Sequence, residues 1–301
     1  MDLCNPGEVR GLMETFHLRP RKEFGQNFLI DSSVVSAIAE QCCDEKDSTI
    51  LEIGPGIGVL TRELAQRYRR VMALEIDANL IPVLSFTLTG YRNVSVICAD
   101  VMKTNLEELL REAFSEGPVT VCANLPYYIT TPILMRLLES RLPFENITVM
   151  VQAEVAERLS ARPGGRDYGA ITASLGYYGQ AQTLFTVPAD RFLPAPKVNS
   201  AVVRIRLYKE KPCRPIDEDV FFQTIRAAFG QRRKTLVNAL QSGFPKLSKA
   251  DLSGAVLGCG FEGDVRGERL STADFVRLAD AITLLEKKPL NQRKHLQEKQ
   301  K

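Results

Sequence analysis

Between residues 49 and 151 the chain alternates short apolar runs with longer stretches whose apolar residues fall at helical spacing. The runs cover 49–53, 71–75, 94–98, 119–123 and 147–151, each the length of a strand buried on both faces. The segments between them, 59–68, 78–86, 106–114 and 132–139, read as helices or long loops. Strands alternating with helices in this way predict a parallel sheet covered on both faces. Two further strand-like stretches, 173–178 and 201–207, have no good helix between them and predict an antiparallel hairpin at the sheet edge. Upstream, residues 32–42 place Val34, Val35, Ile38 and Ala39 at helical spacing, behind a mixed polar arm over residues 1–30.

The pattern changes after residue 208. Residues 209–215 contain two prolines and several charges and read as a linker. Helices are predicted over 219–229, 232–241 and 272–285, the last introduced by Ser271 and Asp274 in the spacing of a reciprocal cap. The chain therefore divides into an α/β domain over 1–208, a helical domain over 209–290 and a basic tail over 291–301. Residues 162–169 are rich in turn formers and read as a mobile loop.

Composition narrows the functional classes. Apolar residues make up 45% of the 301 positions and charged residues 25%, ordinary values for a globular protein. No apolar run reaches the roughly 18 residues a membrane helix needs, and the charged N-terminus reads as lacking a secretion signal. Seven cysteines with no CxxC pair argue against a disulfide framework or a zinc site and fit a reducing cytoplasm. The two histidines lie near the ends, at His17 and His295, so a histidine-based triad or metal centre is not expected. The net charge of +3 hides an asymmetry: residues 1–208 carry 21 Lys and Arg against 24 Asp and Glu, residues 209–301 carry 18 against 12. A basic C-terminal third suggests a polyanionic partner, although a solvated basic surface would look the same.

Candidate chemistry sits at the ends of the apolar runs. The first runs into Gly54-Pro55-Gly56-Ile57-Gly58, where bare backbone admits a ligand and a helix can start beneath it. The spacing is GxGxG, not the GxGxxG of dinucleotide binders, and Glu52 before the first glycine would repel a pyrophosphate while suiting an ammonium or sulfonium. The second run ends at Glu75, followed by Ile76, where a ribose diol would lie. The third ends Ala99-Asp100-Val101, where a carboxylate can accept from an adenine amine. Each acid alone could be a helix cap; three at successive strand ends describe an adenosine with a diol and a cationic, phosphate-free tail, which is S-adenosyl-L-methionine. The fourth run ends Asn124-Leu125-Pro126-Tyr127. The Asn124 side-chain oxygen and a backbone carbonyl could accept from an exocyclic amine and favour a pyramidal, nucleophilic nitrogen, with Tyr127 stacked on the base. A proline-containing turn is the plain alternative.

The segments FGQNFL (24–29), LEIGPGIGVLT (51–61), ALEID (73–77), NLPYYI (124–129), QAEVAERL (152–159), RFLPAPKVNS (191–200) and FGQRRKTLVNAL (229–240) occur in one order across the chain. On these the sequence resembles the ribosomal RNA adenine N6-dimethyltransferases, most closely their small-subunit branch. The resemblance implies a class I S-adenosylmethionine-dependent methyltransferase fold, Rossmann-like with a seven-stranded, mostly parallel sheet, and an all-helical C-terminal domain. It implies that Gln26, Asn27 and Leu29 meet the cofactor from the arm, that Gly54 and Gly56 lie under its methionine end, that Glu75 with Ile76 holds the ribose, and that Asp100 and Val101 contact its adenine. Asn124 would span cofactor and target, the Leu125 carbonyl would be the second acceptor, and Tyr127 and Phe192 would clamp the target base; from residues alone, Phe192 reads equally as a core anchor. Tyr128 stands where the family commonly has Asn.

The expected function is dimethylation of two adjacent adenosines near the 3′ end of 16S rRNA in a small-subunit precursor, by a cytoplasmic monomer using neither metal nor membrane. RNA contacts are expected from Arg226, Arg232, Arg233 and Lys234, with Arg19, Arg21 and Lys22 near the arm. The alternatives are a large-subunit, macrolide-resistance type of methyltransferase, a DNA adenine methyltransferase, and an assembly checkpoint factor in which catalysis is secondary.

Overall fold

The computed structural model describes residues 1–18, 21 and 25–287. Arg19, Lys22, Phe24, His295 and the basic tail over 291–301 lie outside the described residues. The elements in chain order are α1 (Pro6–Thr15), β1 (Phe28–Leu29), α2 (Ser32–Gln41), β2 (Thr49–Ile53), α3 (Val59–Arg67), β3 (Arg70–Glu75), α4 (Ile81–Thr87), β4 (Val94–Cys98), α5 (Leu106–Glu116), β5 (Val119–Asn124), α6 (Thr130–Glu139), β6 (Phe144–Gln152), α7 (Ala153–Leu159), α8 (Ala170–Tyr178), β7 (Gly179–Val187), β8 (Phe192–Leu193), β9 (Ser200–Leu207), α9 (Glu218–Gly230), α10 (Leu236–Gly243), α11 (Lys249–Gly258) and α12 (Thr272–Lys287). They form two compact units, Met1–Glu157 with Gln180–Lys209, and Arg158–Gly179 with the segment from Glu210 onward.

The first unit is built on a seven-stranded sheet in the order β4-β3-β2-β5-β6-β9-β7. The strands from β4 to β6 run parallel, and β9 is antiparallel to β6. Every residue of β2 is buried, as are nearly all of β3 and β5. Continuous burial follows from helices on both faces and explains why these strands read as unbroken apolar runs. The chain leaves β2 toward β3 and β4, then crosses back to β5 on the other side of β2. That reversal is a topological switch point, and ligands bind in the crevice it opens at the carboxyl ends of the strands. The register aligns those ends: Ile53 pairs with Leu74 and Ala123, and Glu75 with Cys98. A separate ribbon pairs β1 with β8, Leu29 opposite Phe192.

The second unit is helical. Tyr177, Phe221, Phe244 and Phe275 are its largest fully buried side chains. Ser271 and Asp274 form the reciprocal cap expected of them, Ser271 N donating to Asp274 Oδ2 at 2.9 Å and Asp274 N to Ser271 Oγ at 3.2 Å.

Three expectations change. Residues 173–178 are part of helix α8, not a strand, and the edge strand starts only at Gly179. Thr172 through Leu175, Tyr177 and Tyr178 are all buried, and a helix buried nearly all round shows no polar stripe to betray its period. The segment 158–179, expected with the α/β domain, packs among the C-terminal helices: Tyr168 meets Phe229 at 5.8 Å between ring centroids and Tyr177 meets Phe221 at 5.0 Å. The helix expected from 232 starts at Leu236, whose N–H is drawn instead to the Val265 carbonyl at 2.7 Å, so Arg232, Arg233 and Lys234 occupy a turn closed by Lys234 N donating to Gln231 O at 2.9 Å. Among the described residues no helix is long and apolar enough to cross a membrane, and no group of His, Cys, Asp and Glu side chains could hold a metal ion.

Candidate active site at the switch point

The turn after β2 is held by backbone. Gly54 (φ +70°) and Gly56 (φ +61°) occupy the left-handed region, where a Cβ costs roughly 1–2 kcal/mol. A Cβ on Gly56 would also sit 3.3 Å from the Phe28 ring. Gly54 N donates to the Leu74 carbonyl at 2.9 Å, and Gly56 N to Glu75 Oε2 at 3.2 Å. The other Glu75 oxygen accepts from Asp77 N at 2.8 Å. Glu75 is thus a buried carboxylate fixed by two backbone donors; burial nevertheless raises its pKa, with Asp77 adding to the rise.

Glu52 behaves differently. It is 1% exposed, lines the cleft, and among the described residues its Oε2 has no hydrogen-bond partner. Burial, reinforced by the Glu75 charge, pushes its pKa from 4.5 up to about 8. An orphaned buried acceptor in the wall of a cleft calls for a cation or a donor from a ligand. Together with the glycine cradle it fits a cationic, phosphate-free donor such as S-adenosylmethionine.

The arm covers this wall. Gln26 Nε2 donates to Asp77 Oδ2 at 3.0 Å, Arg21 lies 3.8 Å from the same carboxylate, and Asn27 Nδ2 donates to Gly25 O at 3.1 Å. Across the crevice, the end of β5 continues into the Asn124-Leu125-Pro126-Tyr127 segment. Leu125 N donates to Met150 O at 3.1 Å, which keeps the segment in line with the sheet. Asn124 Nδ2 donates to Asn27 O at 3.4 Å, which turns Oδ1 the other way. Among the described residues neither Asn124 Oδ1 nor the Leu125 carbonyl accepts a hydrogen bond. The Asn124 carbonyl lies 4.0 Å from the position a Cβ on Gly54 would take, so the two strand ends face each other at close range. Tyr127 is pinned by its hydroxyl, 2.6 Å from Ser200 Oγ, and burial raises its pKa.

One cleft brings together Gln26, Asn27, Leu29, Gly54, Gly56, Glu75, Ile76, Asn124, Leu125 and Tyr127. Asp100 and Val101 stand one strand further out and do not line it; the Asp100 carboxylate accepts from Met102 N at 2.9 Å and pairs with Lys103 at 3.7 Å. Phe192 is 3% exposed and belongs to the hydrophobic core around Leu29 and Val187. Its pairing opposite Leu29 in the β1–β8 ribbon directs it there, so the stacking role the resemblance suggested is not carried by this geometry. Glu52, singled out in the sequence as suited to an ammonium or sulfonium, lines the wall, and so does Tyr128; Phe28 joins them and Asp77 supports the arm through Gln26, neither having been chosen from sequence. Asp77 and Phe28 both lie inside the quoted motifs ALEID and FGQNFL, so the signal for them was present in the sequence.

In the helical unit, Arg226, Arg233 and Lys234 are exposed. Arg232 is committed elsewhere: its Nη2 donates to the carbonyls of Arg166 at 2.5 Å and Tyr168 at 2.9 Å, and its Nε lies 3.6 Å from Glu268. It clamps the 162–169 loop with a side chain that stays 47% exposed, so part of its guanidinium is already committed within the protein.

The profile of the family described as ribosomal RNA adenine dimethylase matches residues 17–283. The chain is 43% identical over 284 residues to ribosomal RNA small subunit methyltransferase A of Geobacillus thermodenitrificans, covering 93% of this chain and 97% of that protein. It is 44% identical over 283 residues to the protein of the same name from Shouchella clausii, covering 93% and 96%. Among solved structures it is similar to the 23S rRNA methyltransferase ErmE, with a TM-score of 0.66 and 28% identity over 85% of this chain and 100% of that one. A dimethyladenosine transferase from Plasmodium falciparum superposes with a TM-score of 0.67 at 23% identity, over 83% and 95%, a likeness of fold.

Proposed function

The chain belongs to the ribosomal RNA adenine dimethylase family, and on that premise we propose that it transfers methyl groups from S-adenosylmethionine to the N6 amines of two adjacent adenosines near the 3′ end of small-subunit rRNA, in the cytoplasm and as a monomer. The observation that carries this reading is the pair of open acceptors, Asn124 Oδ1 and the Leu125 carbonyl, on residues that line one cleft with the glycine turn and with Glu52, whose Oε2 has no partner among the described residues. The two named relatives at 43% and 44% identity are small-subunit enzymes, whereas the large-subunit neighbour stands at 28%. The small-subunit substrate is accordingly favoured over the macrolide-resistance type.

When bound, the cofactor supplies a methyl group already activated by its sulfonium. The chain's own residues position and desolvate. Glu52 would hold the cationic tail, Glu75 the ribose, and Asp100 and Val101 the far, adenine end. The target base leaves its stack to enter the crevice. Tyr127, its hydroxyl tied to Ser200, presents a fixed ring face worth roughly 1–3 kcal/mol of stacking. In the first transfer Asn124 Oδ1 and the Leu125 carbonyl each accept one N–H of the amine, which turns the nitrogen lone pair toward the methyl group; in the second, the monomethylated amine has one N–H left and engages one of the two. No general base is required, because the nitrogen becomes strongly acidic once alkylated. Arg226, Arg233 and Lys234 would meet RNA phosphates.

Methyl transfer assayed on unmethylated small subunits, large-subunit rRNA and duplex DNA tests the substrate. Incorporation of four methyl groups per small subunit, and none on the others, is the expected result. Incorporation confined to large-subunit rRNA or DNA would overturn the reading, and a catalytically dead variant that still restores subunit maturation in cells would show an additional assembly role.

A further inference from the structure

Beside the amine-facing end of the crevice lies a second depression of about 480 Å³ that the methyl-transfer machinery does not use. It is formed by Gln152 at the end of β6, Glu154 and Glu157 on α7, and Lys197, Val198 and Asn199 on the approach to β9. Its floor is joined to the crevice wall. Gln152 and Ser200 are register partners across β6 and β9, and Ser200 Oγ holds the Tyr127 hydroxyl at 2.6 Å. Ala153 N donates to the Asn199 carbonyl at 3.0 Å, fixing the loop against the start of α7. Asn199 Oδ1 accepts from Ala189 N at 3.1 Å, so its amide nitrogen is left to present donors. A group seated in the depression is therefore one protein residue away from the ring that would stack on the target base.

The polar balance says what that group is. Surfaces that hold nucleic-acid backbone are dominated by cations and neutral donors. Here two carboxylates and the Gln152 amide stand against one cation, Lys197, with Val198 offering an exposed apolar face. Carboxylates only accept, so they repel a phosphate and select N–H or O–H donors, such as those of a base edge.

We propose that this depression binds the nucleoside adjacent to the target adenosine, Glu157 accepting from its exocyclic amine and Lys197 meeting the connecting phosphate. The inference rests on the proposed function and deepens it. It makes affinity for one adenosine depend on the state of its neighbour, since an unmethylated neighbour has the N–H donors that a dimethylated one has lost.

The test uses the full chain and reconstituted small subunits whose ligated 3′ segment carries either adenosine or purine riboside, which lacks the amine, next to the target adenosine, with methylation read at the target position alone. Wild-type protein is expected to lose roughly tenfold in kcat/KM on the purine neighbour, through KM, the loss appropriate to one hydrogen bond to a charged acceptor. Glu157→Ala, with an unchanged melting temperature, should lose about as much on the adenosine neighbour and show no further loss on purine. If wild type and variant respond equally to the swap, or if wild type ignores it while methylating the target normally, the subsite is refuted and the proposed function stands. A wild type that methylates neither particle refutes both.

Discussion

The two walls of the crevice solve opposite problems. On the β2–β3 wall, Glu75 is already satisfied by Gly56 N and Asp77 N, Asp77 by Gln26, and the glycine turn by Leu74. On the β5 wall, Asn124 Oδ1 and the Leu125 carbonyl are held in place by their neighbours but have no partners among the described residues. The acids of the first wall are held in place before any ligand arrives; the second is half of a hydrogen-bond pattern whose other half, in the proposed reaction, is an amine. Glu52 is the exception that links them, an acceptor on the finished wall left open and buried. On the proposed function, the difference teaches where binding and chemistry are separately stored: shape and charge for the donor on one strand pair, alignment for the amine on the next.

The sharpest way to break this division is Asn124→Ala. It removes one aligned acceptor from the open wall and should lower kcat by about 10²–10³-fold, as loss of a preorganised hydrogen-bonding group does elsewhere. The side chain is only half-buried, and its one bond to the arm is long at 3.4 Å, so the melting temperature should stay within a few degrees. Donor affinity, measured by calorimetry, should change far less than turnover. Near-wild-type turnover would remove Asn124 from the chemistry altogether.

Glu52→Gln probes the opposite wall and should be visible in stability before rate. With the folded carboxyl at about 8 and the unfolded one near 4.5, the unfolded chain has lost a proton in this window that the folded chain keeps. Raising the pH from about 4.5 to 8 therefore favours unfolding, and the decline levels off above 8. It amounts to a few kcal/mol at most, at about 1.36 kcal/mol per unit. Glutamine carries no proton to lose, so thermal melts of the variant should be flatter across that range, with a residual slope from Glu75, whose pKa is raised in the same direction. A cation in the cleft favours ionised Glu52, so stabilisation of wild-type protein by S-adenosylmethionine should grow from pH 6 to 8 and shrink in the variant. A wild-type melt independent of pH would sink the assignment.

What could be foreseen from sequence divides along the same lines. The glycine turn, Glu75 and the Asn124 segment were legible because strand ends, positive-φ glycines and a buried acid leave few alternatives in residue type. Helix α8 was not, because burial on all sides erased its period. Phe192 was misplaced because aromatic rings suit a core and a stacking platform equally, and only the pairing of β8 with β1 decides. The loop-clamping duty of Arg232 was hidden for a related reason. A run of three cations reads as one surface feature, but the guanidinium fork can bind carbonyls, and the Arg166 and Tyr168 carbonyls come from 66 and 64 residues away.

That last distinction gives a prediction confined to the helical unit. Charge reversal at Arg233 and Lys234 should weaken small-subunit binding by roughly tenfold or more at low salt and reduce the slope of log affinity against log salt by about 2. Arg232→Ala should leave the slope nearly unchanged and instead expose the 162–169 loop to protease and hydrogen exchange, because it frees the Arg166 and Tyr168 carbonyls. Equal salt slopes for the two variants would restore Arg232 to the phosphate contacts.

The smallest effect is expected at Tyr127→Phe, which returns to the open wall and asks how much of it is alignment. The substitution keeps the ring and deletes only the hydroxyl bond to Ser200. A half-buried hydrogen bond of this kind contributes about 0.5–1.5 kcal/mol. If the ring's role is to offer a fixed face, its removal should cost kcat/KM only a few-fold, through added rocking of the ring. Tyr127→Ala, which deletes the face itself, should cost ten to a hundred times by the same stacking scale. A Phe variant as impaired as the Ala variant would mean that the hydroxyl, and with it the hinge to Ser200, takes part in aligning the amine; the open wall would then extend to β9, where the neighbouring nucleoside is proposed to sit.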